Sequence, residues 1–134
     1  MSLMATFDAS RMLSFDLETT SANPREARVV TSALVRIDGS EVDANETLAD
    51  PGVEIPEEAA KVHGITTEKA RAEGRDHDEV VRETVEAIKK GWEDGLTLVV
   101  FNAPYDLTLL RQLTGDFTVT GPVFDPLLLS LIHI

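Results

Sequence analysis

The sequence predicts an α/β domain on a mixed five-stranded sheet, an antiparallel meander of three strands joined to two parallel strands, with helices on its flanks. Three observations predict it. Apolar runs of strand length fill the first third of the chain and are separated by turn residues, not helices. Further along, strand-length runs at 96–101 and 123–125 alternate with helical patterns, which calls for crossovers and parallel pairing. Finally, 134 residues can bury one hydrophobic core and leave no room for two.

Residues 1–11 read as a polar leader, and 12–134 as the domain, incomplete at its C-terminus. The first strand is expected over Met12 to Leu17, and Ser21-Ala22-Asn23-Pro24 is turn chemistry in which Pro24 fixes φ. Val29-Val30-Thr31-Ser32-Ala33-Leu34-Val35 anchors a second strand, Arg28 to Ile37, β-branched and nearly continuous in apolar character, as a strand buried on both faces would be. Asp38-Gly39 marks a hairpin to a third strand, Val42 to Ala49.

A short helix follows with Pro56 at its first position, acids in its first turn and Gly64 past its end. His63 is read as a histidine serving the C-terminal carbonyls of that helix. Thr66 to Arg71 makes a further helical turn. Asp76 and Glu79 form a capping box for a helix reaching Trp92, with Val81, Val85, Ile88 and Trp92 on one stripe and His77 exposed in the first turn. Leu96 to Phe101 is the fourth strand. Asn102 can cap the next helix with Pro104 at its first position, and Leu107, Leu110 and Leu113 face the sheet. Val123 to Asp125 is the fifth strand, leading into an apolar run over 127–132.

Composition narrows the functions. An apolar content of 43% and a charged content of 27% are those of an ordinary globular protein. With 24 acids against 12 bases the net charge is −12, so the molecule as a whole repels phosphate polyanions and does not simply coat nucleic acid. Absence of cysteine removes thiolate nucleophiles, disulfides and cysteine-ligated zinc, and fits the cytoplasm. No segment reads as a membrane span.

Two places carry chemistry. Asp16 and Glu18 stand two apart at the end of a strand, so their carboxylates project side by side and repel unless a cation sits between them. Solvated acids at a strand end would read the same. Asp106 falls in the first turn of a helix that follows a strand, where open α/β sheets place their sites, although helix dipoles favour acids there in any case.

Taken in order, Phe15-Asp16-Leu17-Glu18-Thr19-Thr20, then Val62-His63-Gly64-Ile65-Thr66, then Phe101-Asn102-Ala103-Pro104-Tyr105-Asp106 resemble segments of the DEDD superfamily of 3′→5′ exonucleases, specifically the group like the DNA polymerase III epsilon subunit. The resemblance implies an RNase H-like fold and two-metal hydrolysis at the 3′ end of single-stranded DNA or RNA. By position it implies that Asp16 bridges two Mg²⁺ or Mn²⁺ ions, that Glu18 holds the one that activates water, and that Asp106 holds the one near the leaving oxygen. It also implies contacts to the terminal nucleotide from Leu17, Thr19, Thr20 and Tyr105, with Asn102 in support.

The departures from the family matter as much. Its third motif pairs a histidine with an aspartate five residues on, as general base and fourth ligand, and this chain holds no such pair; His133 has no acid after it. Asp125 matches a family aspartate that is not usually a ligand. The expectation is therefore a truncated exonuclease domain, weakly active or inactive, lacking C-terminal helices and dimerising through the apolar run. The competing reading is a non-catalytic RNase H-like binding module.

Overall fold

In the computed structural model, residues 8–128 are described, and β1 (Arg11–Thr19), β2 (Val29–Asp38) and β3 (Glu41–Asp50) form the expected meander. Gly39 turns the second hairpin at φ 65°, a conformation that costs glycine nothing. The two helices α1 (Glu57–His63) and α2 (Thr67–Glu73) lead to a two-residue strand, β4 (Arg75–Asp76). Then come α3 (His77–Glu93), β5 (Thr97–Val99), α4 (Ala103–Thr114) and β6 (Val123–Phe124).

The sheet has six strands, not the five expected, in the order β4-β3-β2-β1-β5-β6. The added strand is β4, which runs parallel to β3 through Ala49 and Asp50. Gly74 makes this approach feasible, because a Cβ there would overlap the Ala70 carbonyl and the Asp50 amide. β5 runs parallel to β1, and β6 parallel to β5, as the alternation of strands and helices requires.

Strand periodicity sorts the residues of β1 onto two faces. Leu13, Phe15 and Leu17 are buried in the main core with Val81, Val85, Ile88 and Trp92 of α3 and with Leu109 and Leu110 of α4. Met12, Ser14, Asp16 and Glu18 point to the other face. The α4 stripe differs by a step from that expected, since Leu109 and Leu110 are fully buried while Leu107 and Leu113 only pack against the core. A satellite cluster of Val30, Ile55 and Ala70 seats α1 and α2.

Several local expectations are corrected. β2 is buried only over Val29 to Ser32, and from Ala33 onward it is half-buried, so its apolar run does not mean cover on both faces. Pro56 is the N-cap of α1, one place before its first residue. Asp76 caps α3 by accepting the Glu79 amide, but the Glu79 carboxylate turns to Arg75 at 3.7 Å, leaving the capping box half made. His77 is not exposed. It is 4% exposed, its Nε2 accepts the Val29 amide at 3.0 Å, and burial pushes its pKa down. The apolar run, the dimer expected from it and His133 fall, apart from Leu127 and the backbone of Leu128, outside the described residues, as do residues 1–7 of the leader; β1 itself begins at Arg11, inside the range read as leader. Among the described residues no helix is long and apolar enough to cross a membrane.

Candidate active site

The site lies at the C-terminal ends of β1 and β5. β1 carries Asp16 and Glu18 on its open face, and a register shift between Glu18 and Thr19 in the β1–β2 ladder twists the strand just where the second acid projects. Asp106 arrives from α4. Ala103, Asp106, Leu109 and Leu110 are the buried residues of that helix, so Asp106 lies on the face turned to the sheet and is only 4% exposed.

The β5–α4 turn is held from an unexpected direction. Asn102 does not cap α4 through its side chain; it adopts the left-handed conformation at φ 62°, the one non-glycine residue to do so among the described residues. The capping acceptor is Asp125, whose carboxylate takes the amides of Asn102 at 3.2 Å, Ala103 at 2.6 Å and Leu127 at 2.9 Å. Pro104 follows at the second helical position, where no amide is required.

Asp106 lies in a field of like charge. Burial, then the charges of Asp16, Asp125 and Glu18, push the Asp106 carboxyl up to about 7. The Asp16 pKa is also raised, by desolvation and by Glu46 across the sheet, against a backbone hydrogen bond from Leu17. Hard oxygen donors crowded by like charge are the chemistry that suits Mg²⁺ or Mn²⁺. Among the described residues no three such groups already stand in coordinating geometry. The fit is thus one of donor type and charge.

Beside the acids opens a cleft of about 750 Å³, lined by Leu17, Glu18 and Thr19 of β1, Ser21, Ala22 and Asn23 of the following loop, Glu58, Ala59, Val62 and His63 of α1, and Asn102 and Tyr105. Of the residues singled out in the sequence, Leu17, Glu18, Thr19, Asn102 and Tyr105 line it, whereas Asp16 and Asp106 do not. Thr20 is buried elsewhere, its hydroxyl accepting the Arg28 amide and its own amide bonding to the Arg28 carbonyl, both at 3.0 Å. The Tyr105 hydroxyl donates to the Ser21 carbonyl and lies 2.6 Å from the Thr19 hydroxyl, which ties α4 to the end of β1. Burial raises the Tyr105 pKa.

Sequence reasoning passed over the α1 wall. His63 does not serve its helix carbonyls: its Nδ1 accepts the Ile65 amide at 3.2 Å, and its Nε2 is buried without a hydrogen-bond partner. A buried polar nitrogen in a cleft wall is a recognition group in waiting. The signal available in the sequence was its place between an exposed Val62 and the helix-ending Gly64, a pattern equally consistent with simple capping.

A family model described as exonuclease (RNase_T) matches residues 13–117. The chain is 35% identical over 130 residues to a DNA polymerase III subunit epsilon-like protein of Rhodobacter capsulatus, covering 88% of this chain and 17% of that protein. It is 28% identical over 114 residues to a PolC-type DNA polymerase III of Clostridium perfringens, covering 83% of this chain and 8% of the other. The chain therefore spans less than a fifth of either relative. Among solved structures, exonuclease I without ligand superposes with a TM-score of 0.72 at 18% identity, over 90% of this chain and 29% of that one. Exonuclease I of E. coli in complex with a dT13 oligonucleotide gives 0.70 at 18%, over 85% and 27%.

Proposed function

The chain belongs to the exonuclease family and has the RNase H-like fold, and on that premise we propose that this domain binds single-stranded DNA or RNA at the 3′ end and releases nucleotides by metal-assisted phosphodiester hydrolysis. The reading is supported by the placement of Asp16 and Glu18 on β1 and of buried Asp106 in the first turn of α4, beside a cleft of about 750 Å³ that Glu18 lines. Pockets for small molecules run from roughly 300 to 1,000 Å³, which brackets this one.

The residues divide the work. Leu17, Ala59 and Val62 offer apolar wall to a nucleobase, and the buried Nε2 of His63 offers one polar contact to it. Glu58 stands in the same wall, where a carboxylate would repel a phosphate and accept from a sugar hydroxyl. Tyr105 keeps the cleft in shape by holding Thr19 and the Ser21 carbonyl. Asp16, Glu18 and Asp106 would hold Mg²⁺ or Mn²⁺, which supplies charge stabilisation to the attacking and leaving oxygens of an in-line displacement. The overall charge of −12 favours engagement of a strand end over binding along its length.

Turnover by this chain alone is proposed to be slow, because it holds no histidine paired with an aspartate five residues on. A missing general base costs about 10² to 10⁴ in rate. The deciding experiment is Mn²⁺-dependent release of nucleotides from a 3′-labelled single strand, with Asp16→Ala prepared in parallel. Release that disappears in the variant supports hydrolysis at this site; release equal in both proteins, or none, would mean that this chain by itself is an incomplete exonuclease.

A further inference from the structure

The backbone of the first turn of α4 hangs on Asn102. Its carbonyl accepts the Tyr105 amide at 3.0 Å and the Asp106 amide at 3.4 Å, so the peptide that carries Asp106 is fixed to Asn102. On the other side, the Asn102 amide donates to Oδ1 of Asp125 at 3.2 Å and the Ala103 amide to Oδ2 at 2.6 Å. Asn102 is left-handed and makes no capping bond with its own side chain. The turn therefore takes its orientation from Asp125. Asp125 takes its own from the sheet, because it follows directly on β6, whose Phe124 carbonyl accepts the Val100 amide at 3.2 Å.

The pattern calls for a carboxylate. Asp125 is 3% exposed, and its Oδ1 takes a third amide, that of Leu127, at 2.9 Å. Both oxygens thus face N–H donors, and an asparagine there would turn its NH₂ group on one of them whichever way round it sat. The carboxylate is kept although its charge is among those that push the Asp106 carboxyl up.

We propose that Asp125 is a positioning residue: through the Asn102 peptide it fixes where the Asp106 carboxylate stands, and this placement makes the site prefer Mg²⁺ to larger divalent cations. This rests on the metal reading of Asp106 given above. Mg²⁺ demands near-ideal octahedral geometry at short range, whereas Ca²⁺ accepts irregular sets of oxygen ligands. With the capping bonds lost, Asp106 remains a donor but is free to shift, which penalises the smaller ion. Loss of a nearby negative charge alone would weaken both ions alike.

The test is titration of the metal-free chain with Mg²⁺ and with Ca²⁺, followed through its amide resonances by NMR, in the unsubstituted protein, Asp125→Asn and Asp106→Asn. Asp125→Asn should weaken Mg²⁺ binding about tenfold, as loss of a group that orients a ligand does, and Ca²⁺ binding much less. Asp106→Asn should weaken both. Equal losses of the two ions in Asp125→Asn, or no loss, would overturn the proposal and leave Asp125 a structural cap. Asp106→Asn without effect on either ion, or an unsubstituted protein that binds neither, would overturn the metal reading itself, so the two failures are told apart. Should Asp125→Asn not fold, the unsubstituted protein decides, because coupling is reciprocal. Saturating Mg²⁺ should then slow hydrogen exchange at the Asn102, Ala103 and Leu127 amides more than saturating Ca²⁺ does. Exchange indifferent to both ions, or slowed equally by both, overturns the proposal.

Discussion

The two ends of β1 share one strand geometry and meet opposite arrangements of charge. At its start, Arg11 reaches Asp38 at 3.2 Å, Arg36 reaches Asp38 at 3.7 Å and Asp94 at 2.7 Å, and Lys90 reaches Asp94 at 3.2 Å. Hydrogen bonds from Arg36 and Lys90 hold the Asp94 carboxyl below its ordinary value. At the other end burial and the charges of Asp16, Asp125 and Glu18 push the Asp106 carboxyl up, and among the described residues none of Asp16, Glu18 and Asp106 has an ion-pair partner. The sequence can neutralise its acids where doing so only joins strands to α3. Acids left without a cation at the opposite end are what the proposed metal site there would require.

Substitutions can break this contrast, and the largest effect is expected at Asp16. Asp16→Ala should lower Mn²⁺-dependent nucleotide release by about 10³-fold, as loss of transition-state charge stabilisation does, measured on a 3′-labelled strand. Next is the pH dependence of folding. Asp106 has a folded pKa of about 7 against 3.8 ordinarily, so the proton favours the folded state; that stability is full below about pH 4 and is lost as pH rises through 7. Urea unfolding of the metal-free protein should show the decline, and Asp106→Asn should remove it and gain about 2–4 kcal/mol at pH 8. The lowered pKa of His77 acts with the opposite sign, giving stability above about pH 6.5 that is lost on acidification. It should be the slope that remains in Asp106→Asn. Tyr105→Phe should cost about 1 kcal/mol of stability and raise KM more than it lowers kcat. The smallest effect belongs to the paired end: Asp94→Asn should leave nucleotide release unchanged and lower the melting temperature slightly, a difference that fades in high salt.

Periodicity and turn chemistry made the meander, the α3 stripe and the parallel strands legible, because each is a local pattern that tertiary packing merely completes. β4 was not legible. Two residues carry no period, and Arg75–Asp76 is a strand only because Gly74 lets the chain press against Ala49 and Asp50. His77 looked like a polar residue among acids, yet the buried β2 amide at Val29 needed an acceptor and took its ring. The carboxylates of the site could be read from spacing and from their places on strand and helix. His63 and Asp125 could not, since the first depends on what α1 faces and the second on a hydrogen bond spanning 22 residues.

That last bond has a consequence in time. A ribosome delivers Asp16, Glu18 and Asp106 well before it delivers Asp125, yet the turn that aims Asp106 has its amides satisfied only by the Asp125 carboxylate. The proposed site is therefore completed from the C-terminal side of its acids, by a carboxylate just past β6.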